Sequence, residues 1–301
     1  MAGAFPLWSV SAEYEEHAHS AGPPHHREQR RSETLRSEAE EVQRRHGGGA
    51  VEFRLLGAVE AWAGDRQIDL GPRQQRLVLA ILALNVNQLV PLDRLVDLTW
   101  PESPPHTARH AIHVRVSQLR TILATAGADH GNVKISTRGP TYVLQADPMS
   151  VDAHRFRALL ATARLEPDDL ERASMLRRAL DLWHGPPLAD VATPRVEELC
   201  WGLEETRLTA LEELSDAQLR LGRHEEVVDE LAEYARQHPY RQRLLAQLML
   251  ALYRAGRPAD ALIAYRHARS RLVDELGLDP SPQLQQLERA ILRGDPSLDL
   301  P

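Results

Sequence analysis

Apolar and polar positions along the chain change their period more than once. Val51, Phe53 and Leu55 alternate with polar neighbours, as a half-buried strand does. Gly57 interrupts, Val59 and Ala61 come next, Gly64-Asp65 is a turn signal, and Ile68 and Leu70 predict another short strand. Gly71-Pro72 stops the sheet, and proline suits a first helical turn. The period then lengthens. Leu77, Ile81 and Leu84 form one stripe with Val78 and Leu82 beside it, which predicts a helix over Arg73–Leu84. Residues 85–88 read as a loop. A second helix is expected over 91–99, with Leu92, Leu95, Val96 and Trp100 as its apolar side. Trp100-Pro101-Glu102-Ser103-Pro104-Pro105 is too rich in proline to be helical.

Residues 106–123 carry the pattern on which the functional reading turns. At about 100° per residue, Ala108, Ile112, Val116, Leu119 and Leu123 share one apolar face. His110, His113, Ser117 and Thr121 fall opposite it, flanked by Arg109 and Arg120, with Val114 at the other edge. A polar face with hydrogen-bonding tips and flanking arginines is what a helix needs to lie in a DNA major groove. The same pattern describes an amphipathic helix with a solvated outer face, but the next stretch of the chain favours DNA. After a loop at 127–132, Val133, Ile135 and Thr137 alternate, Arg138-Gly139-Pro140 turns, and Tyr142 and Leu144 return. The result is a hairpin with Lys134 and Arg138 at or near its tip. Strands, three helices and a hairpin are the order of a winged helix-turn-helix preceded by a small sheet. A generic helical domain needs no basic hairpin after its most basic helix.

Residues 148–301 are helix formers with hardly a strand signal. Gly222-Arg223-His224 and Gly256-Arg257-Pro258 lie 34 residues apart. That is the period of tetratricopeptide repeats, helix pairs that stack because one alone cannot bury its face. In this register Leu211/Leu245 and Leu214/Leu248 coincide on first helices, and Leu231/Tyr265 on second helices. Further helices near 152–164, 168–183 and 195–207 are expected to extend the stack. A plain helical bundle is the other reading of this half. Residues 1–49 have little to bury and end in Gly47-Gly48-Gly49, so disorder and a linker are expected there. The division is thus 1–49, 50–147 and 148–301.

Composition changes this picture in one respect. A net charge of −7 argues against nucleic acid until its distribution is read. The last segment carries net −6, whereas 104–143 holds five basic residues, four histidines and one acid, Asp129. Positive charge is gathered around the third helix. A single cysteine, Cys200, excludes a disulfide framework and any multi-cysteine zinc site. His17, His19, His25 and His26 lack partners at fixed spacing, so no metal is expected. There is no apolar signal-peptide core and no run of the roughly 18 apolar residues that a membrane span needs. A cytoplasmic, nucleoid-associated protein without membrane contact is the expectation.

The segments VEFRLLGAVEAW, LGPRQQRLVLAILAL, LVPLDRLVDLTWP, the third helix with VSQLR, and TRGPTYVL resemble, in order and spacing, the DNA-binding domain of the SARP family. These are the Streptomyces antibiotic regulatory proteins, whose N-terminal domain is of the OmpR type. VDAHRFRALLATAR, ALDLWHGPPLADV and SRLVDELGLDPSPQLQQLERAIL resemble the bacterial transcriptional activation domain that comes after it. The resemblance implies a mainly α protein, an α+β winged helix-turn-helix followed by an all-α tetratricopeptide-like domain. It implies an activator, expected to control an antibiotic or other secondary-metabolite gene cluster, that binds direct repeats in promoter DNA and recruits RNA polymerase through the sigma factor and/or alpha subunit. The third helix would read the major groove, the hairpin would be the wing, and the loop before the third helix would face polymerase. Paired protomers or a homodimer on DNA are expected.

His110, His113 and Ser117, with Val114 against a thymine methyl, are accordingly expected at base edges. Thr107, Arg109, Arg120, Lys134, Thr137 and Arg138 are expected at phosphates or on the wing, and Trp100, Glu102 and Ser103 on the polymerase-contact loop. Arg115 is left out because it sits at the edge of the buried face. Phosphate-binding, nucleophile-elbow, zinc-protease and dinucleotide motifs are all missing, so neither catalysis nor a cofactor is expected. The ATPase domain of larger family members and a preceding receiver domain are likewise not expected. Cys200 reads as a core thiol. The rival reading is a tetratricopeptide-like interaction scaffold whose winged helix binds nothing, and salt-dependent binding to promoter fragments separates the two.

Overall fold

The computed structural model describes residues 51–126 and 133–300. The expectations for residues 1–49 and for the loop at 127–132 fall outside the described residues.

The chain opens with an antiparallel sheet of β1 (Val51–Arg54), β2 (Glu60–Ala63) and β3 (Arg66–Gln67), with Phe53 opposite Ala61. The strand expected at Ile68 and Leu70 is two residues of β3 just before them. Ile68 still donates its N–H to the Ala61 carbonyl at 2.8 Å, and both side chains are buried. Asp69 then accepts the Gly71 N–H at 2.8 Å and turns the chain into α1. Helix α1 (Arg73–Leu84) is buried from Leu77 to Ala83, which makes it the central rod of this part. Helices α2 (Leu92–Thr99) and α3 (Ala108–Thr125) pack on it.

A second sheet has the order β4 (Val90–Pro91), β6 (Thr141–Gln145), β5 (Lys134–Arg138). Residues 133–145 are the expected hairpin, whereas β4 corrects the sequence reading. Val90 pairs with Tyr142 and Pro91 with Thr141, so α2 begins at Leu92 and not at 91. Two residues cannot display an alternation, and a proline is tolerated only at a sheet edge or strand end. The expected placement of the hairpin charges is corrected too. Arg138 is at the turn, but Lys134 pairs with Gln145 at the opposite end of the strand.

Beyond residue 147 the chain is helical: α4 (Asp152–Leu165), α5 (Asp169–Leu180), α6 (Pro194–Arg220), α7 (His224–Gln237), α8 (Gln242–Arg254), α9 (Pro258–Leu276) and α10 (Pro282–Arg293). The helix expected near 195–207 and the first helix of the 34-residue repeat are one continuous α6. No break separates them: the intervening residues 208–210 are helical, with Leu208 and Ala210 buried in the core. The repeat register is otherwise as read. Leu211, Leu214, Leu231, Leu245, Leu248 and Tyr265 are all buried. Gly222 and Gly256, at φ of 75° and 73°, close α6 and α8 alike. Arg223 N–H reaches the Gln218 carbonyl at 3.0 Å and Arg257 N–H the Leu252 carbonyl at 2.8 Å, the six-to-one bond of a Schellman end.

The winged helix and the first helices of the second half share one apolar core that runs from Val51 to Ala217. Main-chain and carboxylate bonds stitch the seam. Phe53 bridges Val151. Asp152, 3% exposed, accepts the Leu55 N–H at 2.8 Å and the Leu56 N–H at 3.0 Å. Asp190 accepts the Val59 N–H at 2.8 Å and pairs with Arg76 at 2.6 Å. Arg73 donates to the carbonyls of Val191 and Ala192. Gly57 lies so close to His184 that a Cβ there would stand 3.3 Å from the histidine's own. The winged helix is therefore held on its neighbour along most of its first sheet. A second core, from Leu219 to Ile291, joins α7 to α10.

Candidate nucleic-acid interface

Helix α3 buries the stripe that the pattern assigned to it: Ala108, Ile112, Val116, Leu119 and Leu123 are each at most 3% exposed. Its first turn is set by the Pro105 carbonyl, which accepts the Ala108 N–H at 2.8 Å, and Thr107 stands exposed at the N-cap. With that stripe inward, His110, His113 and Ser117 face outward, and Val114 is 38% exposed. The Ser117 hydroxyl has no partner among the described residues, while its carbonyl accepts from Thr121 at 3.3 Å.

The flanking arginines are already engaged. Arg109 pairs with Asp93 of α2 at 2.6 Å, both side chains being about two-thirds exposed at 65% and 67%. Arg120 donates its Nε to the Ile135 carbonyl at 2.8 Å and one Nη to the Thr137 hydroxyl at 2.7 Å. It clamps the wing to the helix, with one Nη unpartnered among the described residues. Arg115 is half-buried, with a buried Nε that finds no partner among the described residues and an Nη at 3.1 Å from Gln118. On the wing, Lys134, Thr137 and Arg138 are exposed, and the Arg138 carbonyl accepts the Thr141 hydroxyl at 2.6 Å, closing the tip.

A further contact joins wing and helix. The hydroxyl of Tyr142, on β6, is hydrogen-bonded to Nδ1 of His113, and the two rings meet edge to face at 6.1 Å. Burial pushes the Tyr142 hydroxyl above its ordinary pKa, with Arg120 nearby pulling weakly the other way. The sequence pattern marks neither Tyr142 nor Asp93 as part of this surface. Tyr142 reads as one apolar step of an alternation, and Asp93 lies a whole loop away from its arginine.

In the loop at 100–105, Trp100 turns inward, half-buried against the core, while Glu102 and Ser103 are exposed. Of the three residues expected at a polymerase contact, only these two stand clear of the fold. Among the described residues no group of His, Cys, Asp and Glu is arranged to hold a metal ion, and no helix is long and apolar enough to cross a membrane.

The geometry has known relatives. A family model, the bacterial transcriptional activator domain, matches residues 151–292. The chain is 37% identical to the regulatory protein DnrI of Streptomyces peucetius over 257 residues, 83% of this chain and 94% of that one. It belongs to the SARP family of transcriptional regulators. It is also 40% identical over 253 residues to the regulatory protein AfsR of Streptomyces coelicolor, covering 83% of this SARP chain but only 25% of AfsR. The solved structure of Mycobacterium tuberculosis EmbR in complex with a low-affinity phosphopeptide superposes with a TM-score of 0.74 at 35% identity, over 82% of this chain and 66% of that one. The winged helix followed by an α domain is thus an architecture this SARP chain shares with EmbR.

Proposed function

We propose that the protein is a sequence-specific DNA-binding activator of transcription, acting on promoters of a secondary-metabolite gene cluster. Helix α3 enters the major groove with His110, His113 and Ser117 at base edges and Val114 against a thymine methyl. Thr107, Arg109, Arg120, Lys134, Thr137 and Arg138 position the helix and wing on the backbone. Arg109 and Arg120 do so by exchanging or sharing their present partners. Glu102 and Ser103, on the loop that Trp100 anchors, meet RNA polymerase through its sigma factor or alpha subunit. Protomers pair on direct repeats, and the protein works in the cytoplasm on the nucleoid.

The observation that carries this reading is the exposed polar face of α3 lying beside an arginine-tipped hairpin, with Arg120 and His113 tying the two together. A solvated helix has no use for such a brace. Its test is base readout. Replacing His113 with Ala should cost about 1–3 kcal/mol on the preferred duplex and clearly less on random DNA. Equal loss on both would mean that the helix docks by another face.

A further inference from the structure

Resting on that reading, we propose that Tyr142 is a positioning residue for base recognition. Its hydroxyl holds the His113 imidazole in the Nε2–H tautomer, so that His113 offers the groove a hydrogen-bond donor. His113 then selects a base edge carrying an acceptor, a purine N7, guanine O6 or thymine O4, and rejects the amino group of cytosine.

A neutral imidazole carries one N–H, and the other nitrogen accepts. Which nitrogen carries the proton is set by the bond the other one makes. The sole partner of the Tyr142 hydroxyl among the described residues is His113 Nδ1. Tyr142 itself is 3% exposed, and its burial keeps the hydroxyl protonated. If Nδ1 carried the proton, that hydroxyl would accept, and its own hydrogen would lack an acceptor among the described residues. Donation by the hydroxyl to Nδ1 leaves nothing unmatched, and it puts the ring proton on Nε2. The direction of that proton is constrained as well. Nδ1 faces the wing, so Nε2, across the ring, points away from β6 on the exposed side of α3.

The anchor is rigid. Tyr142 sits in the middle strand of the second sheet, opposite Val90 on one side and Thr137 on the other. Arg120, which holds Ile135 and Thr137, fixes the same strand pair to α3. Histidine on a free helix face would offer the groove either a donor or an acceptor and so tolerate more bases. The wing strand removes that choice. Adenine and guanine both present N7, so the contact separates acceptors from cytosine more sharply than one purine from the other.

Two measurements test this with the full chain. Nitrogen-15 spectra of the imidazoles in the free protein, above the histidine titration range, should place the His113 proton on Nε2. Tyr142→Phe, which keeps the ring and its packing, should give a mixture. In parallel, wild type, Tyr142→Phe and His113→Ala are each used to select from a duplex library with a randomised core. The wild type should show one position at which cytosine is disfavoured about 5- to 150-fold, the discrimination of a good base contact. Both variants should flatten that position and leave the rest of the motif intact, with Tyr142→Phe melting as the wild type does. A proton on Nδ1 in the wild type overturns the proposal without any DNA. A motif that both variants leave unchanged overturns it while the DNA-binding reading stands. A wild type that enriches no motif overturns that reading, and this proposal with it.

Discussion

Removing the carboxylate of Asp152 is the sharpest stability perturbation the structure offers. Its two oxygens receive three main-chain N–H groups, those of Leu55, Leu56 and Ala153, at 2.7 to 3.0 Å. All three donor residues are at most 1% exposed, so bulk solvent does not reach them in the folded protein. A buried donor left unpartnered costs about 1–3 kcal/mol, which bounds the loss in Asp152→Ala at about 3–9 kcal/mol. Relief of a desolvated charge offsets several kcal/mol of this. A net loss of about 3 kcal/mol is expected, a fall in Tm of about 6–12 °C for a chain of this size. Asp152→Asn keeps the shape and one acceptor oxygen but turns an amide toward the donors, and should fall between. The two halves should still melt together, because the seam lies inside one core. Acid has a definite sign here. Burial outweighs the opposing main-chain hydrogen bonds and Arg155, and raises the folded-state pKa above its ordinary 3.8. The folded protein therefore binds the proton more tightly, and this group's contribution to stability rises as pH falls through its raised pKa toward 3.8. The same acidification should not stabilise Asp152→Asn. Scanning calorimetry reads all of this. Asp152→Ala and Asp152→Asn both melting within about 1 °C of the wild type would refute the idea that this carboxylate staples the winged helix to its neighbour.

Three other outcomes are tied to particular residues. Cys200 is 4% exposed, and burial, with Glu204 and Glu197 beside it, pushes its thiol to about 11. At pH 8 only roughly one molecule in a thousand carries a thiolate, so a disulfide reagent should label it slowly in the native protein and at once in denaturant; fast native labelling would contradict its burial. Gly256 has open space where a Cβ would go but sits at φ 73°. Gly256→Ala should therefore cost about 1–2 kcal/mol by backbone conformation alone, read as a lower Tm, and an unchanged Tm would show that the turn relaxes freely. Glu102→Ala with Ser103→Ala should lower transcription from a bound promoter and leave DNA affinity as it was. Loss of both in proportion would move the polymerase contact elsewhere.

Much of the fold is legible in the sequence because burial in it is one-sided. The five buried positions of α3 and the 34-residue register come from elements with one apolar face and one wet face. Where that contrast fails, so does the reading. Strands β3 and β4 have two residues each, too few to show a period. Helix α6 runs unbroken through 207–211, although the pattern predicts two separate helices meeting there. The seam at Asp152 and Asp190 is equally hidden, since a carboxylate that accepts main-chain N–H groups about a hundred residues away leaves no local pattern. In the candidate interface, periodicity alone names the exposed residues but not their partners. The pairing of Arg109 with Asp93, of Arg120 with the wing, and of His113 with Tyr142 depends on how helices and sheet pack.

The central claim is that a chain of net charge −7 binds DNA through one locally basic face. The direct measurement is the affinity of the full chain for a promoter duplex as salt is raised, with Arg138→Ala beside the wild type. Each phosphate neutralised contributes a slope of about −0.9 to log K against log salt. A steep negative slope is predicted for the wild type, reduced by about one in Arg138→Ala with sequence preference retained. A flat slope, or no binding at low salt, would contradict the claim and leave the protein as an interaction scaffold with a silent winged helix.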